Sequence, residues 1–328
     1  MEFTFLGTSA GTPTKARNVT GLALRHGSPR QWYLIDCGEG TQQQLLRTRY
    51  SPVQLQAIFI THVHGDHTFG LPGLLASASM AGRTEPLPII APASLRPFIE
   101  VALSHTDSNL GYELEFIDSE APDFRWQDQA VAVTAATLSH RVPCRAFVFT
   151  ENNLQRRLLT DALREDGIDA GPVWGQLQQG QDVTMDDGKV LRAKTYTLIP
   201  RTPRRIVVAG DNDTPELLAD ACQNAHVLIH EATYTQAVSD RIGPWPQHSS
   251  AAQVARFADA IGVPNLVLTH FSSRYQFRSS PQTQSSSAPN IEEVADEARS
   301  IYRGNLCLAQ DFAGYRLTPD FVLELMTE

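Results

Sequence analysis

Short apolar runs recur along the chain, each followed closely by a glycine, an aspartate or a histidine. The clearest cover residues 3–6, 32–35, 57–60, 205–209, 227–229 and 266–268. Runs this short, rich in β-branched side chains and bounded by turn residues, predict buried strands. Between them lie stretches with helical spacing, at 41–49, 71–80, 95–104, 215–222 and 249–261. Alternation of this kind predicts an α/β protein whose sheets are covered by helices. Polar residues follow the C-terminal ends of the strand runs again and again: Asp36, then His62 and His64, then Asp211, His230 and His270. Strand ends hold side chains rigidly at one rim of a sheet, where ligands bind, so the site is expected along that rim.

Two segments break the pattern. Residues 151–205 are more polar, with a helical stretch at 154–164, then Gly171-Pro172, then a turn at Asp186-Asp187-Gly188. They predict a protruding arm at about residues 151–200 on a single domain that spans 1–328. The run from Ser279 to Asn290 is of low complexity and predicts a mobile surface loop at about 277–290. No internal repeat is present.

Composition narrows the classes. The chain of 328 residues is 42% apolar and 19% charged, which suits a folded protein. A net charge of −9 argues against non-specific nucleic-acid binding, so such contacts must rest on local basic patches and bound metal. Cys37, Cys144, Cys222 and Cys307 are far apart and form no CxxC pair, as expected of reduced thiols in a cytoplasmic protein. The chain opens on strand-like residues rather than a signal peptide. No apolar run approaches the roughly 18 residues a membrane span needs.

The segment His62-Val63-His64-Gly65-Asp66-His67 changes the picture most. Imidazole and carboxylate are ligands that zinc and similar ions prefer. A lone histidine is usually a hydrogen-bonded core residue, but three with an aspartate in so short a run point to metal. Residues two apart on extended backbone face the same way, so His62 and His64 are placed to hold one ion. Gly65 permits a turn, after which Asp66 and His67 are placed to serve a second ion. Two adjacent Zn2+ ions are expected, with Mn2+ as the alternative.

That segment is the signature of the metallo-β-lactamase superfamily, and the match continues along most of the chain. Within the superfamily the chain resembles the ribonuclease Z family, endonucleases that trim the 3′ end of precursor tRNA. Four further motifs carry the resemblance: Phe5-Leu6-Gly7-Thr8-Ser9-Ala10-Gly11-Thr12-Pro13, Leu34-Ile35-Asp36-Cys37-Gly38-Glu39-Gly40-Thr41-Gln42, His230-Glu231-Ala232-Thr233 and Thr269-His270-Phe271-Ser272-Ser273-Arg274-Tyr275.

The resemblance implies an αββα sandwich of two mixed sheets flanked by helices. It implies that His62, His64 and His140 bind one ion, that Asp66, His67 and His270 bind the other, and that Asp211 bridges, with Asp213 as the alternative bridge. Asp36 and His230 would support these ligands from behind. A metal-bridged hydroxide would attack the phosphodiester, with Asp66 accepting or aligning its proton. His248 would protonate the leaving 3′ oxygen with support from Glu231. The run His248-Ser249-Ser250 also reads as a helix N-cap, and the two readings are compatible.

Arg274, Ser272 and Ser273 would contact substrate phosphate. Lys15 and Arg17 either line the same cleft or belong to a plain surface loop. The arm would carry Gly171 and Pro172. After them, Gln176 to Gln181 are mostly amides where the family favours lysines, and Arg156, Arg157, Arg192, Lys194, Arg201, Arg204 and Arg205 supply charge instead. A homodimer is implied by the family. The alternatives are a broader RNA or small-molecule zinc phosphodiesterase on the same site, and an RNA-binding protein that has lost turnover.

Overall fold

Strands that are apolar on both faces need cover on both sides, and here one face meets helices while the other meets a second sheet. Trp32–Cys37 shows the division. Trp32 and Leu34 pack outward with Leu74, Leu75 and Ile99 of two helices. Tyr33 and Ile35 point inward among Phe59, Phe147 and Phe149. Edge-on aromatic contacts fill that inner layer: the Phe59 ring centroid lies 5.2 Å from Phe147 and 5.0 Å from Phe149. The computed structural model describes residues 1–28, 30–152, 154, 156–276 and 289–326.

The first sheet runs, edge to edge, Leu323–Met326, Gly314–Leu317, Glu2–Gly7, Gly21–Arg25, Trp32–Cys37, Leu55–Phe59, Leu87–Ala91 and Leu114–Asp118. Its first half is antiparallel, and the half from Trp32–Cys37 onward is parallel. Helices Leu71–Met80 and Leu95–His105 cover its outer face.

The second sheet runs Asn305–Leu308, Asn265–Thr269, Val227–Glu231, Arg205–Ala209, Cys144–Glu151, Val131–Leu138 and Arg125–Gln127. Its first four strands are parallel and the rest antiparallel. Val254 and Ala258 of helix Ala251–Ile261, with Val294 and Ala298 of Ile291–Arg299, pack against it. This is the expected αββα sandwich, the metallo-β-lactamase fold.

Several elements differ from expectation in extent. The helix expected at 41–49 is only Thr41–Leu45, because Thr48 turns back and donates both its N–H and its hydroxyl to the Leu45 carbonyl (both 2.9 Å). The stretch 215–222 is a 3-10 turn at Pro215–Leu218 rather than a full helix. The helix expected at 249–261 starts at Ala251, since Ser250 caps it in a reciprocal capping box with Gln253.

Between Cys144–Glu151 and Arg205–Ala209 the chain builds a small core of its own from Leu163, Ile168, Leu177, Leu191, Ala193 and Tyr196. The helix expected at 154–164 begins only at Thr160, because Arg157–Leu158 is a strand paired with Thr197–Leu198. Gly171 precedes a helix, Pro172–Gln178; Pro172 at its first position lacks an N–H that would go unused there. At the root of this segment the buried Glu151 carboxylate accepts from Arg201 and Arg204, with Nη2 of each at 2.8 and 2.7 Å, and lies 3.2 Å from His26. The loop expected at 277–290 falls, except for its last two residues, outside the described residues.

Candidate metal centre

The C-terminal ends of strands from both sheets meet at one rim. The Arg145 N–H donates to the Thr61 carbonyl (2.9 Å) and the Gly210 N–H to the Arg145 carbonyl (3.2 Å), which joins the sheets there. Gly210 has no room for a side chain, since a Cβ would stand 2.6 Å from that of Thr61. Gly38 is equally confined, since a Cβ there would clash with the Asp66 carbonyl.

Asp36 anchors the histidine-rich loop. Its Oδ1 accepts the Thr61 N–H (2.8 Å) and its Oδ2 accepts the Thr61 hydroxyl (2.9 Å) and His67 Nδ1–H (2.8 Å). This fixes the His67 tautomer and turns its Nε2 toward the centre, where that buried nitrogen has no hydrogen-bond partner among the described residues. His140 is fixed in the same manner, donating from Nδ1 to the Gln247 carbonyl (2.9 Å). Asp66 accepts the Gly11 N–H (2.8 Å) from the opening glycine-rich loop. Asp36 and His270 both adopt left-handed backbone, each with φ 57°, which non-glycine residues hold only when their surroundings enforce it.

The sequence candidates converge. His64 Nδ1 lies 3.0 Å from His62 Nε2 and 3.1 Å from His140 Nε2. Asp66 Oδ2 lies 3.4 Å from His270 Nε2 and 3.5 Å from His67 Nε2. Asp211 stands between the sets. Its Oδ2 faces His62 (3.6 Å) and His140 (3.7 Å), while its Oδ1 faces His67 (3.5 Å) and His270 (3.4 Å). Asp213 points elsewhere and accepts the Thr214 hydroxyl (2.8 Å).

This donor set fits metal ions. Ring nitrogens of three histidines converging this closely suit neighbouring ligands on one ion. The charges agree. Burial alone would lower the pKa of His67, yet Asp211, Asp66 and Asp36 around it push it up to about 10, a sign of negative charge that calls for a cation. Asp211 is held well below the carboxylate range: burial opposes this, and the surrounding histidines, His270 and His67 foremost, outweigh it. Among the described residues three groups bring ligand atoms within 4.8 Å of one another: His62, His64, His140 and Asp211; Asp66, His67 and His270; and Asp211, His248 and His270.

His248 belongs to the last cluster, but its Nδ1 is engaged by Glu231 Oε1 at 2.9 Å. Burial lowers the pKa of His248, and the Glu231 carboxylate overrides burial to hold it at about 9. Glu231 also accepts the Asn212 N–H (2.9 Å) and the Thr233 hydroxyl, so it is locked in place. His230, next to Glu231 on the strand, points to the other face. It is buried, with Nε2 hydrogen-bonded to Asn212 (3.1 Å) and Nδ1 to the Glu231 carbonyl (2.7 Å), and it supports the rim through these two neighbours.

The remaining candidates divide. Arg274 is exposed and lies 5.2 Å over the Tyr234 ring, which in turn meets His248 edge-on at 6.1 Å. Ser273 is exposed, while Ser272 is buried in a short strand pair with Ser9–Ala10. Lys15 is exposed. Arg17 is not a cleft residue: it is buried, donates to the Tyr275 carbonyl (3.1 Å) and packs over Phe271. Gly171 and Pro172 lie in the segment with its own core. Sequence reasoning missed Thr61, Thr233, Asn212 and Gly11 as supports. Thr61 and Thr233 sit inside or beside the quoted motifs, which was the available signal.

Comparison with known proteins gives one family and one fold. The sequence pattern of the metallo-β-lactamase superfamily matches residues 19–130. A ribonuclease Z of Marinobacter nauticus is 66% identical over 323 residues, covering 98% of each chain. A ribonuclease Z of Pseudomonas putida is 53% identical over 324 residues, 99% of each. The crystal structure of the short form of human tRNase Z superposes with a TM-score of 0.64 at 26% identity, covering 97% of this chain and 100% of that one.

Proposed function

The chain belongs to the ribonuclease Z family of the metallo-β-lactamase superfamily, and on that premise we propose that its rim of histidines and carboxylates hydrolyses the phosphodiester at the 3′ end of precursor tRNA. It is a metal-dependent tRNA 3′-processing endoribonuclease. Two divalent ions, zinc first, would be held by His62, His64 and His140 on one side and by Asp66, His67 and His270 on the other, with Asp211 between the sets available to both. Bound there, such ions lower the pKa of a water to about 7 and neutralise charge on the attacked phosphate.

The chain's own groups do the rest. Asp66 orients the attacking water and accepts its proton. The water oxygen forms the new bond to phosphorus while the bond to the 3′ oxygen breaks. His248, kept protonated by Glu231, gives that oxygen its proton. The products are a 3′-hydroxyl on the tRNA and a 5′-phosphate on the trailer. The observation that carries this reading is the Glu231–His248 pair at 2.9 Å beside the ligand sets, an acid placed for a poor leaving group.

Arg274, held on Tyr234, is available for a bidentate grip on a neighbouring phosphate, with Ser273 beside it. The segment near 151–200, with Gly171 and Pro172, serves as the arm that binds the tRNA body. Phe69, Phe98 and Val101 are exposed on one side of the molecule, with the two phenylalanine rings 6.1 Å apart, and fit a homodimer contact. Reduced thiols and the tRNA substrate fit a cytoplasmic setting; no described helix is long and apolar enough to cross a membrane.

The test is to incubate the protein with a precursor tRNA bearing a 3′ trailer and with a nucleobase-free chromogenic diester, each with and without chelator. Trailer release that chelator stops and zinc or manganese restores is the expected result. Turnover of the diester alone would favour the broader phosphodiesterase.

A further inference from the structure

Trp245 is 75% exposed, an expensive placement for the largest apolar side chain, and it lies three residues before His248. It sits at the tip of a turn, Pro244-Trp245-Pro246-Gln247, closed by the Gln247 N–H donating to the Pro244 carbonyl (3.0 Å). Proline on each side restricts the backbone, so the indole is presented with little freedom left to lose on binding.

The turn is fastened to the centre twice. The Gln247 carbonyl accepts from the ligand candidate His140 (2.9 Å), and the guanidinium of Arg141, the next residue, lies 4.9 Å from the Trp245 ring centroid. Arg141 is itself exposed, so the pair forms an open aromatic and cationic surface at the edge of the rim. The packing of the described residues does not account for that surface.

We propose that Trp245, with Arg141, is a stacking platform for the nucleobase on the 5′ side of the scissile phosphate. Any base has a π-face, and an indole backed by a guanidinium binds it without reading its edge. The choice of nucleotide follows from the leaving group. His248 must reach the 3′ oxygen that departs, so the ribose bearing that oxygen lies beside His248. Its base then falls within reach of the turn that leads directly into His248. The platform would hold this nucleotide flat and so align the 3′ oxygen with the acid, for any base and best for a purine.

This inference rests on the endoribonuclease reading, and its test separates the two. The wild type, Trp245→Ala and Trp245→Phe are compared on a precursor tRNA, on the same RNA made abasic at the nucleotide 5′ to the cleavage site, and on a nucleobase-free diester. The expected result is that W245A lowers kcat/KM about ten- to a hundredfold on the intact RNA, less than twofold on the abasic RNA and not at all on the diester. W245F should retain most activity. An equal loss on intact and abasic RNA, or no loss on either, overturns the platform while leaving the endoribonuclease in place. Failure of the wild type to cleave the RNA while it turns over the diester overturns both.

Discussion

Replacing His248 by alanine removes a proton donor and leaves the ligand sets whole, so its cost should depend on what leaves. The 3′ oxygen of a ribose departs as a strong base and needs a proton in the transition state. A p-nitrophenolate departs as a stable anion and does not. The Glu231 carboxylate raises the His248 pKa against burial and so favours the charged imidazole, and its side chain is 12% exposed, enough to meet substrate. General acid catalysis contributes about 10²–10⁴-fold, which corresponds to about 2.7–5.4 kcal/mol of transition-state stabilisation.

His248→Ala is therefore expected to slow single-turnover cleavage of precursor tRNA by that factor and to change hydrolysis of bis(p-nitrophenyl) phosphate by less than about threefold. The fold should survive, because Glu231 keeps its bonds to Asn212 and Thr233, and the melting temperature checks this. Equal losses on the two substrates would refute the role of acid and make His248 a ligand or a structural support instead.

Two further outcomes follow from the same geometry. Glu151 is held below its ordinary pKa of 4.5: burial opposes this, and bonds from His26, Arg201 and Arg204 prevail, so its contribution to stability is present above about pH 4.5 and is lost as pH falls toward the depressed native value. Glu151→Gln should lower stability at pH 7 by about 3–5 kcal/mol, with the gap to wild type closing in acid; thermal melts across pH check this, and a gap independent of pH would contradict it. Arg157→Ala with Lys194→Ala removes two exposed charges from the arm. KM for precursor tRNA should rise with kcat unchanged, and each lost phosphate contact should flatten the salt dependence by about 0.7–0.9 in log–log slope, which a KM series in salt would measure.

The strand-to-ligand rhythm was legible because buried parallel strands leave a simple mark, an apolar run that stops at a rim residue. The helix limits were less so. Helical spacing continued past Leu45, and only the Thr48 turn ended it; Arg157 and Leu158 lay in a helical pattern but were needed as a strand to close the arm on itself. Arg17 read as a basic loop residue, and nothing local announces that it is buried beneath Phe271.

By itself the sequence determined that His62, His64, Asp66 and His67 share one place, because residues so close on a turn cannot separate. It placed Asp211 and His270 at the ends of strand runs, on the rim where ligands bind, but pointed to His140 and His248 only through resemblance to a family, since no local rule links residues so far apart in the chain. Tertiary structure decided that they meet: two sheets stack with their C-terminal rims side by side, joined through Arg145. It also decided orientation. Asp36 turns His67 inward, Gln247 turns His140, and Glu231 fixes the His248 ring through its Nδ1. Those directions depend on hydrogen bonds between distant segments, which exist only once the core has brought the strands together.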